Sequence, residues 1–108
     1  MEPEDEAAKT KLQVLFFQLG ELLKDPPDIM NLSDWRDNVE YALTEIHEIS
    51  DSAYERLHML AHEAINRAII HVNHIDKDMP PDQLERSSAE YFEQVGFITS
   101  EINALKSM

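Results

Sequence analysis

Apolar residues recur along this chain at three- and four-residue steps, in blocks separated by proline or by short polar clusters. In the first block Leu12, Leu15, Phe16, Leu19, Leu22 and Leu23 share one face of a helix. Val14 and Phe17 lie off that face, so this helix is apolar over more than half its circumference. The residues up to about Asp5 are expected to fray, and the helix to run to about Lys24. Asp25-Pro26-Pro27 ends it, because proline cannot donate a hydrogen bond and its predecessor avoids the helical region. Gly20 inside the helix costs about 1 kcal/mol relative to alanine.

Asn31 or Ser33 is positioned to cap the next helix. From Asp34 to about Ile75 there is neither proline nor glycine. Trp35, Val39, Leu43, Ile46 and Ile49 form one stripe. Leu57, Leu60 or Ala61, Ala64, Ala68, Val72 and Ile75 form another. Between them stands the polar cluster Ser50-Asp51-Ser52, and Ser52 with Glu55 has the spacing of a capping box. A break into two helices is therefore favoured. The alternative is one helix of about forty residues, beyond the usual globular length. Asp76 to Pro81 reads as a second loop.

The last block, from about Asp82 to Lys106, carries an unbroken heptad seam of Leu84, Ser88, Tyr91, Val95, Ile98, Ile102 and Leu105. Alternating steps of four and three keep these side chains facing one partner helix. Ser88 permits close approach. The seam is long for a lone small bundle, which predicts a homodimer; the alternative is packing on the first and third helices of the same chain. The fold class expected is all-α, a small bundle of four or five helices in one interaction domain over residues 1–108.

Composition narrows the function. With 22 acidic and 9 basic residues the formal charge is −13, which opposes contact with nucleic-acid phosphates or an acidic membrane surface. A basic protein partner or a solvated surface suits that charge. Cysteine is absent, so no disulfide, thiolate ligand or cysteine nucleophile is available. The acidic start, Met1 to Glu6, lacks the positive charge of a secretory signal, and the longest apolar run, Val14 to Phe17, cannot span a bilayer. A cytoplasmic protein is expected.

Candidate chemistry is sparse. His58 and His62 stand four apart on a helix, a spacing that suits one zinc ion, with Glu55 or Glu63 as a further oxygen. Met59, however, occupies the position where a zinc protease needs glutamate. His71 and His74 are one turn apart. In both pairs the simpler expectation is the polar flank of an amphipathic helix, so neither metal nor cofactor is expected. No phosphate loop, nucleophile elbow or paired-carboxylate motif appears. Arg56 to His62 matches the short arginine–histidine pattern of the HEPN ribonucleases, helical proteins in which the two residues act as paired catalysts across a dimer. The alternative is a surface arginine pairing with Glu55, Ser52 or Glu63. The chain is expected not to be an enzyme.

Large aromatics off the core stripes are better leads, because a few desolvated aromatics dominate binding energy. Phe92 sits beside the seam and widens it. Phe97 faces away from Val95 and Ile98, and Phe17 holds a similar position on the first helix. Phe17 and Phe97, with acidic neighbours Glu93 and Glu101, are the expected partner-binding residues. The alternative is a core that uses more of each helix than a strict seam.

The stretch His58-Met59-Leu60-Ala61-His62-Glu63-Ala64-Ile65-Asn66-Arg67-Ala68-Ile69 resembles a family of pseudomonad helical proteins whose leucine-rich helix ends in alanine, an apolar residue and Asn-Arg-Ala. Length, acidity and helical order are also similar to the QslA-like quorum-sensing antiactivators of that group. The chain departs from them in having no glycine before its third helix. The resemblance implies a protein that binds the ligand-binding domain of the LuxR-type transcriptional activator LasR and occupies its dimerisation surface. The activator then cannot hold its two DNA half-sites, by mass action and without catalysis. The other classes kept open are an acidic antitoxin-like or phage-type inhibitor of a basic protein, a HEPN-like ribonuclease, and a subunit of a larger helical assembly.

Overall fold

The computed structural model describes residues 6–107. Among them are four helices and no strand: α1 (Glu6–Lys24), α2 (Leu32–Ile49), α3 (Asp51–Asp76) and α4 (Pro81–Lys106). The all-α expectation holds, and the expected break near residue 50 is there. The expected fraying of residues 1–5 lies outside the described residues.

The helices begin and end for reasons partly different from those expected. Asn31 precedes α2, yet its side chain caps nothing in that helix. Its Oδ1 accepts from the Asp28 backbone N–H at 2.9 Å, while Asp28 Oδ1 accepts from the N–H groups of Met30 and Asn31 at 2.9 and 3.0 Å. The two side chains lock the loop itself, a local use that short polar side chains favour. Ser33 lies inside α2. At the next corner the cap is Ser50, two residues before the expected Ser52. Ser50 ends α2 through its N–H to Ile46 O, at 2.8 Å, and starts α3 by accepting from Ala53 N–H at 3.2 Å. One buried residue thus serves both helices. Pro81 opens α4 at the position where a missing N–H costs nothing. Before it, Asp78 takes the left-handed conformation, φ 58°, which aspartate tolerates.

Each helix lies against the next, and α1 also lies against α4; α3 and α4 share the most extensive interface. Arg56 meets Glu101, Leu60 meets Gln94, Arg67 meets Glu90 and His71 meets Ser87, so α3 and α4 run antiparallel. Ala61, Ala64 and Ala68 are buried on α3. The core joins these to Leu15, Phe16, Leu19 and Leu23 of α1, Trp35, Val39, Leu43 and Ile46 of α2, and Tyr91, Ile98 and Ile102 of α4.

The buried stripe of α4 is Ser87, Tyr91, Gln94, Ile98 and Ile102. Relative to the expected seam, Ser87 and Gln94 replace Ser88 and Val95, a rotation towards α3. Tyr91, Ile98 and Ile102 are packed inside the one chain, while Leu84, Val95 and Leu105 remain partly exposed. Gln94 satisfies its burial by donating from Nε2 to Leu60 O at 3.0 Å.

Candidate partner-binding surface

Helix α1 has more apolar residues than its inward face can bury. Leu15, Phe16, Leu19 and Leu23 fill the core, which leaves Phe17 pointing outward, 63% exposed. On one side of it lies a groove between α1 and α2 of about 500 Å³. Leu22, Trp35 and Ala42 line that groove with Phe17 and with Tyr41, itself 67% exposed. The indole N–H of Trp35 donates to Leu22 O at 2.7 Å and fixes the ring against α1. The charged groups lining it are Glu21 and Asp25, one helical turn apart. Lys24 pairs with Glu21 at 3.6 Å, but both side chains are largely solvated and the pair is weak.

On the other side of Phe17 a smaller groove, about 300 Å³, runs between α1 and α4. Gly20, Phe92, Val95 and Thr99 are among its lining residues. Nothing stands within 4 Å of where a Gly20 Cβ would be, so glycine here leaves open space. Phe92 is 46% exposed. Phe17 therefore forms the ridge of an aromatic face whose flanks carry Tyr41 and Phe92.

The expected binding residues do not all gather there. Glu93, Phe97 and Glu101 form one row on α4 at four-residue spacing. That row lies towards α3, because Glu101 Oε1 accepts from Arg56 Nε and Nη2, each at 2.5 Å. Phe97 is 53% exposed and Glu93 is exposed, whereas Glu101 is held in the ion pair. Phe17 is on the α1 side, so the structure separates Phe17 from Phe97. Tyr41 is not among the expected binding residues, although the sequence marks it as it marks Phe17: an aromatic on the opposite face from Val39 and Leu43.

The histidines take other places. His47, Tyr54 and His58 stack as a column, with ring centroids 4.1 and 4.7 Å apart, and His62 meets His58 edge-on at 6.1 Å. His47 Nε2 lies 3.1 Å from Asp51 Oδ1, and His58 Nδ1 lies 3.1 Å from Tyr54 O. Among the described residues no group of three histidine or carboxylate side chains is arranged to hold a metal ion. Arg56 pairs with Glu101 of α4, and His62 joins the histidine column through His58. His71 Nδ1 is 2.6 Å from Ser87 Oγ, which donates to Leu84 O at 3.2 Å. Burial, then the nearby His74, lowers the His71 pKa below its ordinary 6.5. Ser87 is buried and His71 is partly buried, so the pair bridges α3 and α4 at the edge of their interface.

No helix among the described residues is long and apolar enough to cross a membrane. Compared with known families, with curated proteins and with solved structures, the chain matches none.

Proposed function

We propose that this chain is a non-catalytic regulatory protein that docks through the aromatic face of α1 onto the ligand-binding domain of a LuxR-type transcriptional activator, LasR or one like it. Docking blocks the activator's dimerisation and so its DNA binding, which represses quorum sensing. The observation that carries the docking surface is the exposure of Phe17, Tyr41 and Phe92 around two grooves, in a chain whose core is already filled by other residues. Such aromatics contribute to binding when a partner removes them from water. The choice of partner comes from the likeness of His58–Ile69 to the antiactivator family. A partner that binds only the monomeric activator drains its dimer without any chemical step.

Self-association through the α4 seam is a separate proposal: Tyr91, Ile98 and Ile102 of that seam are packed within one chain, while Leu84, Ser88, Val95 and Leu105 stay partly exposed. An inhibitor of a small basic protein is the second reading, favoured by Glu21 and Asp25 on the groove and by the −13 charge. The test is size-exclusion chromatography with light scattering of the chain mixed with the LasR ligand-binding domain. A mixed complex holding one activator chain is the expected result. Two unchanged peaks would overturn the LuxR reading and leave the basic-protein reading to be pursued.

A further inference from the structure

We infer that the groove between α1 and α2 accepts a cationic amphipathic helix, its apolar stripe seated between Phe17 and Tyr41 and its arginines or lysines against Glu21 and Asp25. This rests on the docking proposal and names the chemistry of the segment that the groove takes. The floor is apolar: Leu22, Trp35 and the short Ala42 line it, and the Trp35 indole is tied to α1 by its bond to Leu22 O. The two walls are aromatic and more than half exposed, so an apolar side chain entering between them desolvates both. A helix laid beside two others presents such side chains at i, i+3, i+4 and i+7.

Charge decides which helix. The charged residues lining the groove are both acidic, and its remaining polar members, Gln18 and Asn38, are neutral. A helix flanked by glutamates meets repulsion there; one flanked by arginines finds Asp25 and Glu21, the latter engaged only by the solvated Lys24 at 3.6 Å. The same argument disfavours a second copy of this chain as the occupant, since each copy carries a formal charge of −13.

The test uses a dye-labelled peptide of roughly 15 residues, with leucines at i, i+3, i+4 and i+7 and arginines beside them. Its anisotropy is followed against the whole chain. A scrambled peptide of the same composition controls for bulk charge attraction. The inference expects the patterned peptide to bind at least about tenfold more tightly than the scrambled one. It also expects Phe17→Ala and Tyr41→Ala each to weaken binding about tenfold, while Phe97→Ala leaves it unchanged. Circular dichroism of each variant confirms that helicity is retained, which the exposure of both rings favours. Equal binding of the two peptides, or equal losses at Phe97 and Tyr41, would overturn the inference. So would concentration-dependent self-association of the chain that Tyr41→Ala abolishes. Peptide binding without any complex with the LasR domain would sink the partner proposal and keep the groove. An activator complex untouched by Tyr41→Ala would do the reverse.

Discussion

The phenol of Tyr91, on α4, donates its hydrogen bond to the carbonyl oxygen of Leu23 in the last turn of α1. Helix α1 needs such a donor. Its final carbonyls have no partner within the helix, and Pro26 and Pro27 beyond it carry no N–H to fold back. Side chains from neighbouring helices replace the missing backbone donors: Tyr91 reaches Leu23 O, and Trp35 reaches Leu22 O. The two rings also touch, with centroids 6.3 Å apart. Burial, and secondarily the charge of Asp25, raises the Tyr91 pKa, so the phenol keeps its proton and its donor role throughout the neutral range.

Tyr91→Phe removes that donor and leaves the ring. The expected loss of stability is about 1–2 kcal/mol, measured by urea unfolding, because a buried carbonyl loses its partner. An unchanged midpoint would mean that Leu23 O finds water instead.

Ser50 holds the α2–α3 corner. Ser50→Ala is expected to lower stability by roughly 1–2 kcal/mol, the upper part of the usual range for a lost cap, since Ser50 is buried. Ser52→Ala is the comparison, because Ser52 does not cap the helix and its loss should cost less.

Gly96 sits within α4, and a Cβ there would meet nothing within 4 Å. Gly96→Ala should therefore stabilise the fold by about 0.5–1 kcal/mol, through the lower backbone entropy of the unfolded chain. Thermal unfolding reads this as a rise in midpoint.

His71 makes the fold sensitive to mild acid. Its folded-state pKa lies below 6.5, so the unfolded chain takes up a proton before the folded one does. Its effect on stability is thus constant above the ordinary imidazole value and declines as pH falls from there through the lowered value. Between pH 7.5 and 5.5 the wild type should lose more stability than His71→Gln; equal slopes in urea melts would contradict this.

Periodicity made the fold legible in the sequence. The proline pairs at 26–27 and 80–81 and the apolar stripes placed all four helices. What it could not give was rotation: the heptad rule put Val95 on the buried line, but α4 turns towards α3 and Gln94 is buried instead. Its burial follows from a bond to Leu60 O that no local pattern encodes. The same limit applies to the surface. Phe17 and Phe97 each read as off-core aromatics, yet only the arrangement of neighbouring helices separates them and sets Tyr41 and Phe92 around Phe17.

The measurement that bears most directly on the central claim is hydrogen–deuterium exchange of the chain with and without the ligand-binding domain of the LuxR-type activator. The account predicts slowed exchange from Phe17 to Asp25, at the end of α1 and just beyond it, and along α2 from Trp35 to Ala42. Slowing confined to the Glu93–Phe97–Glu101 row of α4, or no slowing anywhere, would contradict it.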